Sequence, residues 1–216
     1  MKEQINNISK NSEVYFGTGE KLGTLNSELI RKTVNYEDLG ENVKNATIAS
    51  EDSDFYSNNG VEIFGLIRAV YSEVTGAHTS GGSTITQQLV KNQLLDNSRS
   101  YERKAKEILL ALRVDNHFSK KEILENYLNV ASFGKNSLGQ NISGIETAAQ
   151  GVFGIRAKDL NVAQAAYLVG FVQSPYRYTP FDNAGNIRPD EELQAGIERQ
   201  KYVLSRMKAN NFINSS

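Results

Sequence analysis

The chain has 216 residues, 39% hydrophobic and 23% charged, with 24 Lys and Arg against 25 Asp and Glu for a net charge of −1. That balance supports a sizeable globular core, excludes a disordered chain and disfavours a strongly basic nucleic-acid binder. Cysteine is absent and His78 and His117 are the only histidines, which excludes disulfide scaffolds, thiolate catalysis, zinc–thiolate sites, iron–sulfur clusters and a His-rich metal centre, and confines any Ser-His-Asp triad to one of those two.

Met1 to Lys10 is polar and lacks the apolar centre of a signal peptide, and no run of about 18 apolar residues is present to span a membrane. If the natural protein is anchored, this chain is expected to be an excised domain. Val14, Tyr15 and Phe16 favour a strand, Gly17-Thr18-Gly19 a turn and Lys21 to Leu25 a returning strand, so a small hairpin is expected within Ser12 to Thr24. From Glu41 the pattern is helical. Helices are predicted at 41–51, 60–75, 83–95, 100–116, 119–130, 143–153, 161–171 and 190–209, and three prolines in the chain suit so helical a reading. In the helix at 100–116, Ala105, Ile108, Leu109 and Leu112 form an apolar stripe at offsets 0, 3, 4 and 7, the expected buried face. Ser119 with Glu122 three residues later reads as a capping box. Gly76 to Gly82 is a small-residue loop and Arg177 to Pro189 a longer connection.

Three groups carry candidate chemistry. Thr84, Gln87, Gln88 and Lys91 occupy helical offsets 0, 3, 4 and 7, the spacing of a buried face, yet all are hydrogen-bonding groups. A solvated face usually mixes Glu and Lys, and the glycine pair Gly81-Gly82 ahead of this helix exposes backbone N–H groups suited to an anion. Glu51 and Asp52 end an apolar helical run, shortly before Phe55. Acids there oppose the helix dipole, so they are either an ordinary helix end or a carboxylate with a raised pKa, suited to act as a general base. Arg103 and Glu107 are spaced for an i,i+4 ion pair; Lys91, Arg99, Arg103 and Lys104 together would instead form a cationic pocket of the kind a diphosphate leaving group requires.

Five blocks in order resemble the peptidoglycan glycosyltransferase (transglycosylase) domain of class A penicillin-binding proteins and monofunctional transglycosylases. They are Glu51-Asp52-x-x-Phe55-x-x-Asn58-x-Gly60, Gly81 to Gln88, Arg103-Lys104-x-x-Glu107, Lys120-x-Glu122-Ile123-Leu124-Glu125-x-Tyr127-Leu128-Asn129, and Arg199-x-x-Tyr202-Val203-Leu204-x-Arg206-Met207. The resemblance runs from about residue 40 to 210, and the second block is the most specific. Asn58 stands where the family usually has His, Ser132 where it has Tyr before Phe-Gly, and Gln200 where it commonly has Arg. An amide at 58 donates and accepts hydrogen bonds but does not titrate near neutrality.

The resemblance implies an all-α, lysozyme-like large lobe with a smaller membrane-proximal jaw lobe within about 56–82, preceded by a lead-in over 1–39 that contains the hairpin, with the glycosyltransferase domain over 40–210. It implies polymerisation of lipid II into β-1,4-linked glycan strands, with inversion and release of undecaprenyl pyrophosphate. Glu51 and Glu107 are the implied catalytic acids. Asp52, Phe55, Ser83, Thr84, Gln87, Gln88, Lys91, Arg99, Arg103 and Lys104 are the implied substrate-binding or cleft-supporting residues. Stimulation by Mg²⁺ or Mn²⁺ is expected, with no organic cofactor and no recognisable metal cage. Expected partners are lipid II, the growing lipid-linked strand, the membrane surface and a C-terminal transpeptidase domain in the full-length protein, with no nucleic acid. The expected location is the outer face of the bacterial cytoplasmic membrane, with the anchor helix absent from this chain. Phe64, Leu66, Ile67, Val70, Tyr71 and Val74 would reach lipid or pack in the core, and Gly76 to Gly82 would form a flexible flap over the cleft. The rival enzyme class is a lysozyme-type hydrolase, which has no use for cations facing a diphosphate; an inactive binding module is disfavoured by the presence of both acids.

Overall fold

The computed structural model describes residue 5 and residues 13–15, 21–24, 29–62, 83–95 and 100–214. Two short strands, β1 (Glu13–Tyr15) and β2 (Lys21–Thr24), pair antiparallel with Val14 opposite Gly23, which is the expected hairpin. Next come β3 (Leu29–Arg31) and a 3-10 turn at Tyr36–Asp38. The helices are α1 (Glu41–Glu51), α2 (Ile85–Leu94), α3 (Tyr101–His117), α4 (Lys120–Val130), α5 (Ile145–Phe153), α6 (Val162–Phe171), the single turn α7 (Pro175–Tyr178) and α8 (Asp190–Ala209). Between α4 and α5 lie β4 (Ser132–Lys135) and β5 (Asn141–Ser143).

Local sequence explains these boundaries. Thr84 with Gln87, Ser119 with Glu122 and Asn161 with Gln164 each close a reciprocal capping box at the start of α2, α4 and α6. α8 opens on Asp190, Glu191 and Glu192 and ends on Arg206 and Lys208, so its charges complement the helix dipole at both ends. α5 stops at Gly154, which takes the left-handed conformation at φ 71°.

The closest helix packing runs within two groups. α1, α6 and α8 pack on one another, and α2 packs on α3 and α4. Ala46, Ala49, Ala166, Val169, Val203 and Met207 form the seam of the first group, where small residues allow close approach. The larger core extends across the domain and contains the fully buried Tyr127, Phe133 and Phe171. Together the helices define the all-α, lysozyme-like class that was expected.

Two features differ from the sequence reading. A three-stranded sheet, ordered β3-β5-β4, was not anticipated; β3 runs parallel to β5, with Ile30 opposite Ile142. Its strands have three or four residues, too short to show a period of two. β3 joins this sheet, and Ile5 lies in the main core.

The buried face of α3 is also not the apolar stripe. Leu109 is 61% exposed and Ala105 is exposed, while Glu107, Ala111 and Val114 point inward. At about 100° per residue, the buried face lies roughly 140° from the stripe. The helix is rotated by a polar demand: Glu107 must reach Gln87, Arg103 and Lys104. Of the expected helix at 60–75, Gly60 and Val61 form bends, Glu62 is irregular and the rest lies outside the described residues, as do the apolar residues Phe64 to Val74, the loop Gly76 to Gly82 and most of the expected jaw.

Candidate active site

α1 ends at Glu51 because Asp52 leaves the helix at φ −162°, ψ 81°, while still donating its N–H to Ile48 O. Both oxygens of the Glu51 carboxylate are engaged. Gln88 Nε2 donates to Oε2 at 3.1 Å, and Arg199 Nη2 pairs with Oε1 at 3.3 Å. The Arg199 guanidinium lies 4.4 Å from the Tyr202 ring centre, a cation–π arrangement that holds it against α8. The orientation of the Gln88 amide is fixed from behind by Tyr127, whose hydroxyl donates to Gln88 Oε1 at 2.9 Å. Burial above all, and then the charges of Glu51 and Asp52, hold the Tyr127 phenol well above the usual tyrosine range, so it stays a donor.

Glu107 is 1% exposed on the neighbouring helix group. Gln87 Nε2 donates to Oε1 at 3.3 Å, Arg103 Nη1 to Oε2 at 3.3 Å, and Lys104 pairs with Oε1. A buried carboxylate needs such partners, because removal from water is costly without them. Lys104 also reaches Ser83 Oγ at 3.2 Å.

Asp52 turns away from this pair. Asn58 Nδ2 donates to both of its oxygens, at 2.9 and 3.1 Å, and the Ile85 N–H at the start of α2 donates to Oδ2 at 3.1 Å. Burial raises its pKa; the hydrogen bonds from Ile85 and Asn58 and the charge of Lys120 pull the other way. Thr84 Oγ1 donates to Gly60 O at 2.6 Å. Gly60 sits at φ +82°, and a Cβ there would lie 2.7 Å from Ala111 O, so only glycine fits.

Two hollows flank Glu51. The larger, about 360 Å³, is bordered by Glu51, Glu107, Gln87, Gln88, Lys91 and Ser83. Asn92, Ser132 and Gln173 add neutral polar groups to its lining, and Ala131, Val172 and Pro175 apolar ones. The smaller, about 120 Å³, takes in Glu51, Asp52, Ser83, Thr84, Tyr202 and Arg206. An acid, amides and a lysine thus share one groove, with a second opening beside the same acid.

The sequence-derived residues therefore fall into distinct places. Glu51, Glu107, Ser83, Gln87, Gln88 and Lys91 come together around the larger hollow, and Asp52 and Thr84 border the smaller. Arg103 and Lys104 pair with Glu107 instead of forming an open cationic pocket. Phe55 is fully buried, with Lys120 Nζ 4.9 Å from its ring centre, and so supports the groove from beneath. Arg99 and the glycine pair Gly81-Gly82 lie outside the described residues. Sequence reasoning gave no role to Arg199 or Tyr127, although both stand in blocks it singled out. Arg199 meets Glu51 across 148 positions of chain, where no local spacing can announce it.

Among the described residues no three acids or histidines converge as a metal-ligand group. Glu51 and Glu107 are each occupied by cationic side chains of the chain itself. The donor set does not fit a resident divalent cation there.

Two hydrogen-bonded carboxylates around one polar groove in a helical domain form a site suited to acid–base chemistry. The chain is a member of the transglycosylase family, whose model matches residues 4–208. It is 36% identical over 218 residues to penicillin-binding protein 1A of Clostridium perfringens (strain 13 / Type A), covering 99% of this chain and 31% of that protein. It is 37% identical over 203 residues to penicillin-binding protein 1A of Aquifex aeolicus (strain VF5), covering 94% and 26%. The crystal structure of penicillin-binding protein 1A from Haemophilus influenzae matches in fold with a TM-score of 0.50 at 19% identity, over 96% of this chain and 20% of that one. The chain thus spans only about a quarter to a third of the curated relatives it matches.

Proposed function

We propose that this transglycosylase domain is a peptidoglycan glycosyltransferase of bacterial cell-wall synthesis, which polymerises lipid II into β-1,4-linked strands. The observation that carries this reading is the shared groove: Glu51 borders the same hollow as Lys91, Gln87, Gln88 and Glu107. In the proposed step the 4-hydroxyl oxygen of the acceptor sugar attacks the anomeric carbon of the lipid-linked strand. The bond from that carbon to the diphosphate oxygen breaks, the undecaprenyl pyrophosphate departs with its electron pair, and the configuration inverts. Glu51 accepts the hydroxyl proton. Arg199 and Gln88 each occupy one position on the carboxylate, which retains further lone pairs for that proton. Lys91, on the same wall, offers positive charge to the departing diphosphate. The second opening beside Glu51 supports separate approaches for the two sugars.

Among the described residues no helix is long and apolar enough to cross a membrane. Action at the outer face of the cytoplasmic membrane, with an anchor and a transpeptidase domain in the full-length protein, is part of the same proposal. So is stimulation by a divalent cation, to which we assign no residue.

The test is incubation with fluorescent lipid II and, separately, with finished glycan. Strand growth, abolished in Glu51→Gln with folding retained, is the expected result. Release of muropeptides from the polymer without strand growth would establish a hydrolase instead.

A further inference from the structure

One polar chain near the groove has no part in that reaction. Lys120, the first residue of α4, places its ammonium among three oxygens: Asn58 O at 2.7 Å, Asn58 Oδ1 at 3.1 Å and Asp115 Oδ1 at 2.6 Å. Asn58 passes the connection on. Its Nδ2 donates to both oxygens of Asp52, and its Oδ1 also accepts the Gly60 N–H at 2.9 Å. Asp52 in turn accepts the N–H of Ile85, the first residue of α2. The Asn58 amide thus donates on one side and accepts twice on the other. A neutral imidazole has one acceptor nitrogen and could not serve Gly60 and Lys120 together while donating to Asp52.

The position of this chain gives it significance. Glu51 belongs to the helix group α1, α6 and α8, whereas Gln87, Gln88 and Glu107 belong to α2 and α3. The residue immediately after Glu51 is thereby fastened to the N-terminus of the helix that carries Gln87 and Gln88. Lys120 ties that fastening to α4, and Asp115 ties it to α3.

We propose that Asn58 and Lys120 are positioning residues for glycosyl transfer: they clamp Asp52 to the start of α2 and so set the placement of Glu51 relative to Gln88 and Glu107. This rests on the reading of Glu51 as the base. The bonds to Asp52 and from Lys120 are charge-assisted and partly buried, which makes them the stronger kind. Partners that orient the ligands of metal sites typically alter affinity or activity about 10–100-fold when removed, and a loss of that order is expected for this clamp.

The experiment uses the full chain with fluorescent lipid II. Asn58→Ala is expected to lower kcat by about 10–100-fold with KM within about threefold of the parent, and Asn58→His, which keeps one donor for Asp52 but cannot serve both Gly60 and Lys120, to restore only part of the rate. Hydrogen exchange at the Ile85 amide is expected to accelerate in Asn58→Ala, because its acceptor is no longer held. Lys120→Met keeps an unbranched side chain of similar length, removes the ammonium and is expected to lower kcat likewise, with the double variant no worse than the more damaged single. That variant carries the test should Asn58→Ala not fold. An unchanged kcat in Asn58→Ala, a raised KM at unchanged kcat, or unaltered exchange at Ile85 would each overturn the clamp. If the parent chain makes no polymer, the enzymatic reading fails, and the exchange at Ile85 still decides the clamp.

Discussion

Tyr127→Phe removes a single oxygen from beneath the groove. The ring is fully buried and keeps its packing, so no cavity opens. What is lost is the hydroxyl that donates to Gln88 Oε1 at 2.9 Å. A hydrogen bond of this kind contributes about 1 kcal/mol net. Gln88 is half-buried and borders the large hollow, so water can reach its freed oxygen, and the loss stays near that figure. For a domain of this size, about 1 kcal/mol lowers Tm by roughly 2–4 °C. The kinetic effect should exceed the thermal one. With Tyr127 silent, the Gln88 amide can turn its oxygen toward the Glu51 carboxylate, where it repels instead of donating. Losing about 1–2 kcal/mol of alignment slows turnover roughly 5–30-fold. Continuous extension of fluorescent lipid II gives kcat and KM, and scanning fluorimetry gives Tm. In a Gln88→Ala background, Tyr127→Phe should add almost nothing to the rate loss. A kcat within twofold of the parent, or equal losses in the two backgrounds, would refute the orienting role.

Asp52 offers a test in pH. Its pKa is raised by burial, so ionisation destabilises the fold: the stability it contributes is complete below the ordinary value of 3.8 and is lost as pH rises through the folded value. Asn at that position does not ionise, so the Tm of Asp52→Asn relative to the parent should become more favourable between about pH 3 and pH 7, and a difference that stays flat would refute the assignment. Gly60→Ala would force a side chain into a left-handed backbone at φ +82°, 2.7 Å from Ala111 O. A loss of about 2–3 kcal/mol in urea unfolding is expected, and a loss below about 0.5 kcal/mol would contradict the geometry.

How much of this was legible in the sequence follows from the range of each interaction. The helices could be placed because their signals are local: the Ser119–Glu122 box acts over three residues, and apolar spacing repeats every turn. The polar row Thr84, Gln87, Gln88 and Lys91 was visible for the same reason, and it does border the two hollows. The orientation of α3 could not be read from hydrophobicity, because a buried carboxylate with its own cations outweighed four apolar side chains in deciding which face turned inward. The β3–β5 pairing and the Arg199–Glu51 contact join segments more than 100 positions apart, and neither leaves a periodic trace.

The alanine-lined seam where α1 meets α6 and α8 has a mechanical consequence. Ala49 sits two positions ahead of Glu51, and its neighbours Ala46 and Ala166 are likewise completely enclosed. One added methylene there has no room, so the backbone must yield. Such a shift would drag the acid at the end of α1 while the helices bearing Glu107 stay put. Bulk introduced at Ala46 or Ala166, which line neither hollow, would thus detune the reactive geometry by widening a gap, without touching a single group that borders the groove.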